Sequence, residues 1–155
     1  MIGTLTDDLV LVHPAVSDRA ALLRLMAEHA HRAGRVHDTF ADAVVEREGR
    51  FPTGLPTAVP SAIPHTDAGH VVSAGAVVAL LAEPVTFVEM GSSDREVAAR
   101  LVVMLLVQDP DQQVTALGEV IAALQDPALA DRLATVEHPG DLVRALRPEG
   151  AVGPA

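Results

Sequence analysis

Apolar positions change their period along this chain, and the changes mark out its elements. Leu9–Val12 is a short apolar run that predicts a strand, closed by His13-Pro14. The spacing then lengthens. Leu22, Leu25, Met26 and Ala33 fall on one helical stripe, with Ser17 or Asp18 as the cap and Gly34 as the stop. A second helix is expected from Asp38, carrying Phe40, Ala43 and Val44 on one side and ending at Gly49. Arg50–Thr57 holds two prolines and a glycine and predicts a loop. Val59–Ile63, Val71–Leu81 and Val85–Val88 read as strands, and Arg100–Val107 as one buried on both faces. Helices are expected over Gln112–Gln125, Pro127–Ala134 and Pro139–Leu146. Helices flanking buried strands predict an α/β layer structure in one domain, residues 1–147. Residues 148–155, rich in Gly, Pro and Ala, are expected to form a frayed tail.

Composition narrows the chemistry more than the fold. With 49% apolar residues in 155, the chain can bury a continuous core. A net charge of −10 argues against nucleic acid and against anionic membrane surfaces. Only 2% of residues are aromatic, which argues against stacking on bases or sugar rings. Cysteine is absent, so thiolate nucleophiles, disulfides and zinc sites with Cys ligands are excluded. Lysine is also absent, and all 11 basic residues are arginines. Schiff-base chemistry and the phosphate-binding P-loop lysine are therefore excluded. Any phosphate must be held by Arg, backbone N–H groups, hydroxyls or imidazoles. No signal peptide is visible, and the apolar runs are interrupted well before membrane-spanning length, so a cytoplasmic protein with no direct membrane insertion is expected.

The residue that stands out is His65, in Val59-Pro60-Ser61-Ala62-Ile63-Pro64-His65-Thr66-Asp67. An apolar run leads to a proline, which fixes φ and donates to no ladder, and the imidazole follows at once. Such a setting presents a nucleophile at the end of a buried strand. It equally suits a strand-end histidine satisfied by a carbonyl. Arg47 follows Phe40, Ala43 and Val44 at seven, four and three residues, so it extends the apolar stripe and should face the sheet. Its guanidinium can compensate the helix dipole with its stem over apolar surface, or offer a planar charged fork to the next loop.

The other histidines carry less. His65, Asp67 and His70 form a His-x-Asp-x-x-His cluster that can be read as a metal site, although three ligands within six residues is a weak signal. No metal is assigned on that basis, and no other cofactor. His29 extends a stripe below Met26 and is expected to be half-buried, while His13, His37 and His138 precede or open helices. Ser61 lacks the Gly-x-Ser-x-Gly elbow of serine hydrolases.

Glu46-Arg47-Glu48, Phe51-Pro52-Thr53-Gly54-Leu55 and Ala62-Ile63-Pro64-His65 together resemble the IIA components of the bacterial sugar phosphotransferase system. The similarity is to the fructose/mannitol-type superfamily and, within it, to the galactitol-like branch. It continues through Pro84-Val85, Leu101–Val107 and Asp109-Pro110-Asp111-Gln112-Gln113-Val114. The resemblance implies a mixed β-sheet sandwiched between helices. It implies a phosphotransferase that takes a phosphoryl group from the carrier HPr onto His65 and passes it to a cysteine of a IIB protein. That protein in turn phosphorylates a sugar or polyol, such as galactitol, carried by the membrane IIC permease. Arg47 matches the family's arginine beside the histidine, and Nε2 is the nitrogen the family uses. Gln113 stands where fructose- and mannitol-type members commonly have a second histidine, and where the galactitol-like branch tends to have Gln. Its amide can donate to phosphate or simply occupy a first helical turn, but it supplies no charge. Thr66 offers an N–H and a hydroxyl near a phosphate, and His70 matches a histidine of galactitol-like members. With no cysteine in this chain, the phosphocysteine step is expected on a separate protein. Two other functions use the same residues: a regulatory IIA-like protein acting by phosphorylation-dependent partner binding, and a metal-dependent hydrolase built on His65, Asp67 and His70.

Overall fold

The computed structural model describes residues 5–147. In chain order its elements are β1 (Val10–Val12), α1 (Arg19–Arg32), α2 (Phe40–Arg50), β2 (Gly54–Leu55), β3 (Ser61–Ala62), β4 (Gly75–Val88), β5 (Glu96–Leu106), α3 (Pro110–Leu124), α4 (Leu129–Leu133) and α5 (Pro139–Leu146). The strands form one sheet in the order β1-β4-β5-β3-β2. β1 runs parallel to β4 and β3 parallel to β5, whereas β4/β5 and β2/β3 are antiparallel. The sheet is therefore mixed.

Its two faces are both buried, and the period of two along β4 divides them. Val77, Ala79 and Leu81 join Leu22, Met26, Phe40 and Val44 of α1 and α2. Ala76, Val78 and Leu80 join Val120, Leu124, Leu133 and Leu142 of α3, α4 and α5. A sheet between two helical layers is the architecture the resemblance implied. Leu101 to Leu106 has no exposed position because β5 is covered on both sides.

The boundaries depart from the pattern in ways that have causes. Asp18 is the cap of α1, its side chain accepting the Ala21 N–H at 2.8 Å, and Gly34 follows the helix at φ +73°. Buried Leu23, Ala27 and Ala30 replace Leu25 and Ala33 on the stripe; the latter two are only partly buried. Helix α2 starts two residues after Asp38, without a side-chain cap, and continues through Gly49 to Arg50. The expected strands Val71–Leu81 and Val85–Val88 are a single strand with a register irregularity between Leu80 and Val85. Pro84 lies inside that irregularity, where a residue without an N–H costs no ladder bond. Val71 makes only an isolated bridge to Val36. Strand β5 starts four residues early because Glu96–Ala99 alternates exposed and buried positions, a half-covered stretch that a search for a continuous apolar run overlooks. The expected loop Arg50–Thr57 contains the short strand β2, and α4 is shorter than Pro127–Ala134. The expected tail, residues 148–155, lies outside the described residues. No helix among the described residues is long and apolar enough to cross a membrane.

Two features of the fold set the position of His65. Strand β3 is only two residues long, but its neighbours extend the pairing: Pro60 O accepts the Arg100 N–H at 2.7 Å and Pro64 O accepts the Leu105 N–H at 2.9 Å. On its other side Ile63 N–H donates to Thr53 O at 3.2 Å. Glycine is needed at position 54 because a Cβ there would stand 2.6 Å from the Val88 carbonyl oxygen.

Candidate active site

His65 begins where β3 leaves the sheet, one residue past a proline whose carbonyl is tied to β5. Its ring is held at both nitrogens. Nδ1 lies 2.8 Å from the Ile63 carbonyl oxygen, and Arg47 Nη1 lies 2.9 Å from Nε2. A carbonyl only accepts and a guanidinium only donates, so Nδ1 carries the proton and Nε2 presents its lone pair. The residue is 6% exposed. Burial holds the imidazole pKa below its usual value; the bond to the Ile63 carbonyl opposes this and the Arg47 charge adds to it. The ring is consequently neutral at neutral pH, with one nitrogen poised as a nucleophile.

Arg47 comes from the last turn of α2. The fully buried stripe of that helix is Phe40, Val44 and Glu48, so Arg47 does not face the sheet squarely; it flanks the stripe with half-buried Ala43 and reaches along its edge to His65. Its guanidinium also lies 5.4 Å from the centre of the Phe51 ring, and Arg50 lies 5.7 Å from the same ring. A cleft of about 370 Å³ opens beside them, bordered by Arg47, Arg50, Phe51, Thr66, Asp67 and His70. Phe51 is 56% exposed at its rim. The cleft thus sets Arg47, Arg50 and the Thr66 hydroxyl beside a neutral imidazole, together with the carboxylates of Asp67 and Glu46, the latter 3.4 Å from Arg50. Arg47, which already meets the ring, is the cation best placed for a phosphoryl group.

Not every predicted neighbour meets His65. Thr66 is buried at the cleft border. His70 sits in the short 3-10 turn Ala68–His70, with Nδ1 2.8 Å from Thr39 Oγ1. That contact engages the hydroxyl that could otherwise have capped α2. Gln113 is half-buried on the first turn of α3, and among the described residues no hydrogen bond joins it to His65. The metal reading is overturned: among the described residues no three His, Asp or Glu side chains are grouped closely enough to hold an ion. Both nitrogens of His65 are already engaged by Ile63 and Arg47. His29 is half-buried, with Nδ1 3.4 Å from the Asp8 carbonyl.

One residue was missed entirely. Glu48 is 3% exposed, and its carboxylate accepts the Thr53 N–H at 2.8 Å and the Thr53 hydroxyl at 2.8 Å. The signal was present in the spacing, since Glu48 follows Phe40 and Val44 at eight and four residues. Burial pushes its pKa up to about 7, against the lowering influence of the Thr53 bonds, Arg19 and Arg47. Between its ordinary value of 4.5 and about 7, the folded state holds a proton that the unfolded chain has released. The stability contributed by this proton is full below about 4.5, declines as pH rises, and is lost above about 7. Glu48→Gln is therefore expected to lose less stability than the wild type between pH 5 and pH 8, by up to about 3 kcal/mol. Urea midpoints at the two pH values check this, and an equal loss in both proteins would refute it.

Residues 4–148 match the family described as "Phosphoenolpyruvate-dependent sugar phosphotransferase system, EIIA 2". The galactitol-specific EIIA component of Escherichia coli (strain K12) is 33% identical over 120 residues, which is 77% of this chain and 79% of that protein. The crystal structure of IIA mannitol from Escherichia coli superposes with a TM-score of 0.77 at 22% identity, covering 93% of this chain and 99% of that one. The complex of enzyme IIAMTL and phosphorylated enzyme IIBMTL from the same organism gives 0.76 at 21% identity, over 92% and 96% of the two chains. Nitrogen regulatory protein IIA-Ntr from Neisseria meningitidis gives 0.72 at 21% identity, over 94% and 99%. At these identities the structural likenesses concern the fold.

Proposed function

The chain belongs to the EIIA 2 family of the phosphoenolpyruvate-dependent sugar phosphotransferase system, and on that footing we propose that it is a phosphocarrier working through Nε2 of His65. Phosphotransfer is the chemistry of the family. The geometry that supports this atom is the pair of contacts to the imidazole, Arg47 on Nε2 and the Ile63 carbonyl on Nδ1.

The step follows from that tautomer. The Nε2 lone pair attacks the phosphorus of phospho-HPr, forming a P–N bond while the bond to the HPr leaving group breaks. The proton stays on Nδ1, which goes on donating to the Ile63 carbonyl oxygen, so the cationic phosphoimidazole is steadied by a hydrogen bond. The phosphoryl group takes the place held by the Arg47 donor, and the guanidinium can turn to its oxygens, with Arg50 and Thr66 at the cleft border. A cysteine thiolate of a IIB protein then attacks the same phosphorus and releases neutral His65. Because the transition state is loose, the protein contributes position and charge neutralisation more than covalent chemistry. The phosphocysteine step falls to a partner, as this chain has no cysteine.

The galactitol-specific relative supports uptake of galactitol or a related polyol. A IIC permease in the membrane and a cytoplasmic place for this component are part of the same proposal. Reconstitution tests this reading. With phosphoenolpyruvate, enzyme I, HPr and a galactitol-type IIB, label is expected on the IIB cysteine only when this chain is present. Label that stays on this chain in the presence of IIB would favour the regulatory reading and end the transport one.

A further inference from the structure

We propose that Glu48 is a positioning residue for the phosphoryl-accepting imidazole, fastening the helix turn that carries Arg47 to Thr53, which in turn holds the segment leading from β3 to His65. The proposal rests on the reading of His65 above. A continuous line of contacts carries it. The Glu48 carboxylate holds the Thr53 N–H at 2.8 Å and the Thr53 hydroxyl at 2.8 and 3.1 Å. The Thr53 carbonyl accepts the Ile63 N–H at 3.2 Å, and the Ile63 carbonyl accepts the His65 Nδ1–H at 2.8 Å.

Arg47 and Glu48 are consecutive, so one helical turn reaches His65 by two routes. Arg47 touches Nε2 directly, and Glu48 grips the strand pair from which the ring hangs. Between α2 and β2 lie only Phe51, Pro52 and Thr53, and the carboxylate takes its two bonds from the last of them. Among the described residues no other side-chain hydrogen bond ties the end of α2 to the segment that enters β2, so without that grip the 2.9 Å contact between Arg47 and Nε2 loses its polar support from this side. A carboxyl is a costly way to fill a fully buried position next to Val44 and Phe40, and an apolar side chain would fill it more cheaply. What the carboxyl adds is direction. Its oxygens accept from a backbone N–H and a hydroxyl at once, which no apolar side chain can do. The charges facing it are Arg47 on its own helix and Arg19 at the start of α1.

The test compares Glu48→Ala with Glu48→Gln, whose amide oxygen keeps an acceptor for Thr53. In Glu48→Ala, transfer from phospho-HPr is expected to slow about tenfold, because the reacting groups lose their alignment. Glu48→Gln is expected to stay within about threefold of the wild type. The ring ¹⁵N shifts of unphosphorylated His65 should show a mixture of tautomers in Glu48→Ala and the Nδ1–H form in Glu48→Gln. In an Arg47→Ala background, Glu48→Ala should slow transfer by less than in the wild type, since the two act on one contact. If Glu48→Ala does not fold, Thr53→Val carries the same test with about a threefold slowing expected. Unchanged shifts and rates, or costs that add fully with Arg47→Ala, would overturn the proposal. The shifts need no phosphotransfer, so a wild-type chain that phospho-HPr fails to label would end the phosphocarrier reading and leave this result standing.

Discussion

His65→Ala is expected to reduce labelling by phosphoenolpyruvate, enzyme I and HPr to background. Among the described residues, none of the other six histidines takes a hydrogen bond from an arginine. His70 is engaged by Thr39, His29 faces the Asp8 carbonyl, and neither has an arginine donor on its second nitrogen among the described residues. In the wild type the label should be acid-labile and base-stable, as a phosphoimidazole is. The fold should survive the substitution. The lost ring contacts one carbonyl and one guanidinium at a cleft border, which costs about 1–2 kcal/mol. Circular dichroism and a thermal midpoint separate this outcome from unfolding. Labelling that persists in a folded His65→Ala protein would remove His65 from the relay.

Arg47→Ala is expected to slow phosphoryl transfer about 10²–10³-fold, the usual cost of deleting one fixed charge donor at the place where charge develops. Arg47→Lys should recover part of this, because an ammonium supplies the charge without the planar fork. The substitution also has a sign in pH. Arg47 helps hold the His65 pKa down, so its removal should move the acid limb of the transfer rate to higher pH. Single-turnover rates with phospho-HPr across pH measure both effects. An unchanged rate would assign Arg47 to helix-dipole compensation and packing on Phe51.

The α/β layers were legible because most strands are covered on both faces, which leaves long apolar runs between helical stripes. Leu101–Leu106 is the plainest case. His65 stood out for a local reason: Ile63-Pro64 closes an apolar run and a polar residue follows at once, which the structure places buried beside the cleft. What the sequence hid depends on partners outside the element that carries the residue. Pro84 looks like a break in a strand, and only the irregularity opposite β5 shows why β4 continues through it. Nothing local pairs Thr39 with His70, 31 residues later, whose ring its hydroxyl meets. Glu48 looks like one member of a charged helix face, since a carboxylate on a buried stripe makes sense only once Thr53 is seen folded back onto it. The alternation of Arg47 and Glu48, one at the cleft and one beneath it, places both halves of the site's support on a single turn.

The proposed relay turns on one bond, between phosphorus and Nε2 of His65. Phosphorylating the ¹⁵N-labelled chain with phospho-HPr and recording ¹H–¹⁵N correlations and ³¹P couplings of its imidazole rings locates that bond directly. The predicted result is phosphorus on Nε2 of His65, with Nδ1 still protonated. Phosphorus on Nδ1, or on any other side chain, would contradict it.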